Sequence, residues 1–185
     1  ASDVYKRQPY LRLLCVSDAS DVLAAFKSSP EMSRQGDVTD EASACRYVER
    51  LLDPESSHLP WAVARPDDSL AGLVGVDIDE GNRNGWFWYW MNADERGQGW
   101  MRSAAVTIAD WALNQGGVYR LELGHRVNNP ESGGVARAAG FIREGLEREK
   151  FLVNGERIDV LTYGRLATDP VPEGPRLTIV SSGAA

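Results

Sequence analysis

Apolar positions switch between a period of two and helical spacing several times along this chain. Tyr10-Leu11-Arg12-Leu13-Leu14-Cys15-Val16 reads as a first strand. Ser17-Asp18 offers a helix N-cap, and Val22, Leu23, Ala25 and Phe26 form an apolar helical face that runs to about Lys27. Ser28 to Val38 is polar and broken by Pro30 and Gly36, which marks a loop. A second helix starts at Thr39-Asp40-Glu41-Ala42, sets Tyr47, Val48, Leu51 and Leu52 on one side, and ends over Pro54 to His58. Trp61–Ala64 is a short strand and Leu70–Asp79 a longer one, with Val74, Val76 and Ile78 on one face. Glu80–Gly85 is a turn, so the strand after it should pair antiparallel with Leu70–Asp79.

That next strand, Trp86 to Met91, places Trp86, Trp88 and Trp90 on one face and Phe87, Tyr89 and Met91 on the other. Large side chains on both faces predict a central strand covered on both sides. It breaks at Asn92-Ala93-Asp94, turns on Arg96-Gly97-Gln98-Gly99, and continues as a helix over Gln98–Gln115, with Met101, Ala104, Ala105, Ile108, Trp111 and Ala112 at helical spacing. Gly116-Gly117 ends this helix. Val118–Val127 is a further strand. Asn128-Asn129-Pro130-Glu131 starts a short helix that stops at Gly140. Ile142–Val153 and Glu156–Leu166 are two long strands joined by Asn154-Gly155, a hairpin signal. Strands alternating with helices and closing on a hairpin predict a mixed, partly antiparallel α/β sheet.

Three segments follow. Residues 1–8 have no apolar periodicity and are expected to be a disordered appendage; residues 9–168 form the domain; residues 169–185 are rich in Pro, Gly and Ser and are expected to be a flexible tail. Hydrophobic residues make up 43% and charged residues 25%, enough for one globular core. No apolar run approaches a membrane span, and no signal-peptide pattern is present, so a cytoplasmic location without membrane attachment is expected. Cys15 and Cys45 have neither metal nor redox spacing and are expected as reduced thiols; no metal is expected. The net charge of −7 argues against nucleic acid as a partner and suits a cationic acceptor such as an amine.

A strand feeding a glycine turn and then a helix suits an anion. The first helical turn has unpaired N–H groups and a partial positive charge, and glycines let the backbone curl around a ligand. Arg96-Gly97-Gln98-Gly99-Trp100-Met101 resembles the R-x-x-G-x-G/A pyrophosphate loop of the GNAT acyl-CoA N-acetyltransferases. Asn129-Pro130-Glu131-Ser132-Gly133-Gly134-Val135 followed by Ala139-Gly140-Phe141, and Asn154-Gly155 followed by Asp159-Val160 and Tyr163, agree in order and spacing. Together they resemble the branch that contains the ribosomal-protein N-terminal (alanine/serine) acetyltransferases, from about Tyr10 to Leu166.

The resemblance implies a GNAT-like, mostly antiparallel sheet of about six to seven strands flanked by about four helices. It implies acetyl-CoA as cosubstrate and transfer of the acetyl group to a primary amine, foremost a protein N-terminal α-amino group. Acetyl-CoA would be held by Arg96, Gly97, Gln98, Gly99, Trp100 and Met101, with Met91, Asn92 and Asn129 at the pantetheine arm. Ser132 would hydrogen-bond the CoA sulfur and protonate the leaving thiolate. The chain departs from the family at Met101, where Gly or Ala is usual, and at Trp86, where many members carry a glutamate base. Asp77 is the carboxylate taken as catalytic, with Asp79, Glu149 and Asp159 as alternatives. The region of the first two helices and the loop between them forms one wall of the acceptor pocket in the family; the alternative is that it only covers the sheet. A small-amine or antibiotic acceptor, a non-catalytic acyl-CoA-binding module and an interaction domain without CoA remain alternatives, and sheet edges of this fold often pair into homodimers.

Overall fold

The computed structural model describes residues 8–181. Residues 1–7 of the expected appendage and 182–185 of the expected tail lie outside the described residues. Seven strands form one sheet in the order β1-β2-β3-β4-β5-β7-β6. They are β1 (Tyr10–Leu13), β2 (His58–Ala64), β3 (Leu70–Asp79), β4 (Asn84–Met91), β5 (Arg120–Arg126), β6 (Ile142–Val153) and β7 (Glu156–Leu166). Every neighbouring pair is antiparallel except β4 and β5. Four α-helices flank it: α1 (Ala19–Lys27), α2 (Glu41–Leu52), α3 (Trp100–Asn114) and α4 (Pro130–Ala138). The first strand stops three residues earlier than expected, because Val16–Asp18 forms a 3-10 turn.

Local chemistry explains where these elements begin and end. Asp40 accepts from the Ser43 N–H at 2.8 Å while Ser43 Oγ accepts from the Asp40 N–H at 3.0 Å, a reciprocal cap worth about 1 kcal/mol. Asn129 caps α4 by accepting from Ser132 N–H, with Pro130 in the first helical position. Asn154 and Gly155 both adopt positive φ, 50° and 83°, as a tight primed hairpin turn between β6 and β7 requires.

Two cores lie on opposite faces of the sheet. On one face α1, α2 and the 3-10 turn Pro30–Gln35 pack Val22, Phe26, Met32 and Val48 against Leu73 and Trp90. On the other, α3 and α4 pack Ala104, Ile108 and Ala136 against Val74, Phe87 and Leu121. The aromatic strand β4 is thus covered on both faces, as its side chains predict, except that Trp86 at its start is 45% exposed. Trp88 fits because β3 carries glycine opposite it: a Cβ on Gly75 would sit 2.1 Å from the Trp88 ring.

Residues 169–181, expected as part of a flexible tail, are held against the domain. Leu11 N–H donates to Thr178 O at 2.8 Å and Val180 N–H to Leu11 O at 2.7 Å, so the segment covers the outer edge of β1. Leu177 and Ile179 pack on the α3 core, and Arg176 joins Asp110 at 2.9 Å. Composition suggests freedom; two apolar side chains and a free strand edge outweigh it.

Candidate functional site

β4 and β5 run side by side only from Asn84↔Arg120 to Trp86↔Glu122 and then part. Each keeps a complete antiparallel partner on its other side, β3 for β4 and β7 for β5. From Phe87 onward β4 therefore has a ladder on one edge only. The gap would leave costly unpaired backbone groups unless something takes them. Part of that demand is met within the chain, since Arg96 Nε donates to Met91 O at 3.3 Å.

The strand then turns over Ala93–Glu95 into α3. Gly97 and Gly99 have φ of 82° and 77°, and Gly99 is the N-cap. A Cβ at either position would meet nothing within 4 Å, so neither glycine is required by packing. The required feature is the left-handed backbone, and the space beside it is open. Ser103 N–H closes the first helical bond to Gly99 O at 3.2 Å, which leaves the preceding N–H groups without helical acceptors. The other three α-helices carry an acid in the first turn, Asp21, Glu41 and Glu131, but α3 carries none and has no capping side chain. Its positive end faces a cleft of about 520 Å³. Glu95, gripped by Arg65 at 2.5 Å, fixes the approach to the turn.

Met101 packs in the α3 core at 9% exposure although it borders the cleft. Its side chain therefore does not fill the space beside Gly97 and Gly99, which remains open.

Ser132 lies in the first turn of α4. The Tyr89 hydroxyl donates to Ser132 O at 2.7 Å and lies 2.9 Å from Ser132 Oγ. Burial pushes the Tyr89 phenol up to about 12; the bond to Ser132 opposes this only in part, so Tyr89 stays a neutral donor at ordinary pH. Both residues line the cleft, and both also line a second cavity of about 220 Å³ between β4, β5 and β6. Asn129 borders both as well.

The structure brings together Met91, Arg96, Gly97, Gly99, Trp100, Met101, Asn129 and Ser132 around one cleft. Asp77, Asn92 and Gln98 do not line it. Asn92 is buried, its side chain capping the turn at Asp94 N–H (2.9 Å) and its own N–H spent on Ala71 O (2.8 Å). Gln98 Nε2 donates to Glu95 at 2.9 Å, and it is Glu95 that borders the cleft. Asp77 lines neither cavity: it accepts from Trp88 Nε1 at 3.0 Å and lies 2.5 Å from His58 Nδ1. Those partners fix it as a brace between β2, β3 and β4. Asp79 is likewise engaged by Asn82, and Asp159 by the Glu149 N–H in the bulge of β6.

Sequence reasoning overlooked Tyr89, His125, Arg34 and Arg126. The signal for Tyr89 was a hydroxyl on the otherwise apolar face of Phe87 and Met91. His125 lines the second cavity, with Nδ1 2.9 Å from Arg126 O. A carbonyl only accepts, so Nδ1 carries an N–H, and Nε2 lies 3.2 Å from Tyr163 Oη. Among the described residues no three His, Cys, Asp or Glu gather as a metal site, and no helix is long and apolar enough to cross a membrane.

Residues 10–142 match the model of the acetyltransferase (GNAT) domain. The chain is 30% identical over 101 residues to the ribosomal-protein-serine acetyltransferase of Escherichia coli (strain K12), covering 54% of this chain and 56% of that protein. It is 31% identical over 158 residues to the probable N-acetyltransferase YjcK of Bacillus subtilis (strain 168), covering 79% and 87%. The solved structure of RimL, a ribosomal L7/L12 alpha-N-protein acetyltransferase in complex with coenzyme A, superposes with a TM-score of 0.76 over 84% of this chain and 92% of that one, at 22% identity. That likeness speaks for the fold. The chain spans about half the length of the first curated relatives it matches. With well over half of its residues matched by one domain model, the chain belongs to the GNAT acetyltransferase family.

Proposed function

We propose that this chain is an acetyl-CoA-dependent N-acetyltransferase that acetylates a primary amine, foremost a protein N-terminal α-amino group, by direct attack within a ternary complex. One observation carries the reading: Ser132 and Tyr89 stand in the wall shared by two cavities, where a group held beside α3 and a group held beside β5 would meet. A relative named for ribosomal-protein serine acetylation supports the same acceptor.

The cleft fits an acyl-CoA. The turn from Gly97 to Met101 offers main-chain donors to a pyrophosphate, with open space beside both glycines and no competing acid in the helix turn. Arg34, Arg96 and Arg102 line the cleft together with Glu31, Glu95 and Glu131. The open edge of β4 offers backbone groups to the pantetheine amides. Acetyl-CoA supplies the activated thioester.

The amine lone pair attacks the acetyl carbon, a C–N bond forms and the C–S bond breaks. With the phenol proton on Ser132 O, Ser132 Oγ–H faces Tyr89 Oη in the resting site; it turns from there to donate to the departing sulfur, while Tyr89 holds the serine by its main-chain oxygen. The ammonium proton passes to solvent, which replaces the one given to sulfur. Among the described residues no carboxylate lines the second cavity, and His125 Nε2 already has Tyr163 Oη as a partner at 3.2 Å. The site therefore suits an amine that sheds its proton unaided. An α-amino group of pKa about 7.7–8.0 is roughly one-tenth neutral at pH 7, whereas a lysine at about 10.4 is neutral in roughly one molecule in 2,500.

Calorimetric titration with acetyl-CoA, followed by thiol release with free-N-terminus peptides, Nα-blocked lysine peptides and a polyamine, tests this. Micromolar binding with turnover on free N-termini is expected. Binding without turnover on any amine would leave an acyl-CoA-binding module.

A further inference from the structure

The second cavity is charged in a way that the transfer step does not use. Two of its lining side chains are cationic: Arg34, from the 3-10 turn Pro30–Gln35, and Arg126, the last residue of β5. Among the described residues no aspartate or glutamate lines it. Arg126 takes part in no ion pair among the described residues; its guanidinium rests 5.1 Å from the centre of the Phe151 ring. Burial, and then the charge on Arg34, pull the Arg126 pKa below the usual arginine value. Among the described residues Arg34 has one ion-pair partner, Glu31 at 3.4 Å, whose own side chain is mostly exposed. Two guanidiniums that share one cavity wall, with Glu31 the one carboxylate paired to either among the described residues, are a cost that an incoming anion would relieve. The rest of the wall includes Trp86, Trp88 and Phe151, flat surfaces for the body of a ligand.

Resting on the transferase reading above, we infer that this cavity selects a primary amine that carries an anionic group, a carboxylate or a phosphate, near the nitrogen, and that Arg126 and Arg34 are the specificity determinants. The net charge of −7 suggests a cationic acceptor, but the field of the cavity wall has the opposite sign. Charge within a few ångströms outweighs a dispersed surplus that salt screens over about 8 Å. The anion has two sources, an acidic residue beside a peptide N-terminus or the acid group of a small amine.

The test is the rate of thiol release from acetyl-CoA with three peptides that share an N-terminal serine and differ only in an aspartate, serine or lysine at the second position. A parallel arm uses free aspartate, aminoethyl phosphate and ethylamine. The wild-type chain is expected to favour the acidic acceptor over the lysine one by about tenfold in kcat/KM, chiefly through KM. Arg126→Gln should erase that preference and Arg126→Glu should reverse it, with acetyl-CoA affinity retained. A preference confined to one arm identifies the source of the anion and supports the assignment. Equal rates across each arm in the wild-type chain, or an equal loss on all acceptors in both variants, would overturn it while leaving the transferase reading intact. Acetyl-CoA binding without thiol release on any amine would remove both.

Discussion

The Tyr89 hydroxyl on β4 and Ser132 on α4 are joined across the opening between β4 and β5, at 2.7 Å to the serine main-chain oxygen and 2.9 Å to its Oγ. One phenol proton thus ties the first turn of a short helix to a strand that has lost its ladder on that side. Ser132→Ala is expected to lower kcat by about a hundredfold with acetyl-CoA affinity nearly unchanged, as for loss of a positioned proton donor. Tyr89→Phe should lower kcat by about tenfold through misplacement of the same hydroxyl. The double variant should be no worse than Ser132→Ala, because the two act as one unit. Additive losses in single-turnover rates would separate them.

Tyr89 also ties stability to alkaline pH. Its phenol titrates near 12 in the folded chain and near 10 when unfolded. The pKa is raised on folding, so this contribution is complete below pH 10 and is lost as pH climbs from there through 12. About 3 kcal/mol is at stake, judged from the size of the shift. Urea unfolding between pH 8 and 11.5 should show the decline, and Tyr89→Phe should flatten it. An unchanged slope in the variant would assign the decline to other groups, such as Tyr47, whose phenol burial also raises.

Gly99 stands at φ 77° beside open space. Gly99→Ala should cost about 1 kcal/mol of stability from backbone strain alone. Gly99→Glu adds a carboxylate at the positive end of α3 and should abolish acetyl-CoA binding in calorimetry. Retained affinity in a folded Gly99→Glu variant would remove this turn from the cofactor site.

Asp77 is held by Trp88 and His58 away from both cavities. Asp77→Asn keeps an acceptor for Trp88 and should leave turnover within about twofold while costing about 1 kcal/mol of stability. A hundredfold fall in kcat at unchanged stability would restore Asp77 as the base.

The sequence by itself determined the order and kind of nearly every element. The signals are local: the period of apolar side chains, Asp40 and Asn129 as caps, Asn154-Gly155 as a hairpin turn, and Gly97 and Gly99 where the backbone must turn left-handed. Each depends on dihedral preferences and hydrogen bonds within a few residues. Tertiary structure decided the rest, because it depends on which distant group reaches a polar atom first. Asp77 reads as a free carboxylate until β2 and β4 bring His58 and Trp88 to it. Asn92 reads as a ligand contact until Ala71 takes its N–H. Residues 169–181 read as a tail until β1 offers them an edge. Tyr89 and Ser132 are 43 residues apart, and nothing in the spacing of either reveals that the divergence of β4 from β5 places them in hydrogen-bond contact. Arg34 and Arg126 become a pair only where a loop and the end of a strand close over the same cavity. Local geometry is written in neighbouring residues, whereas the partner of a polar group is settled only when the whole sheet has closed around it.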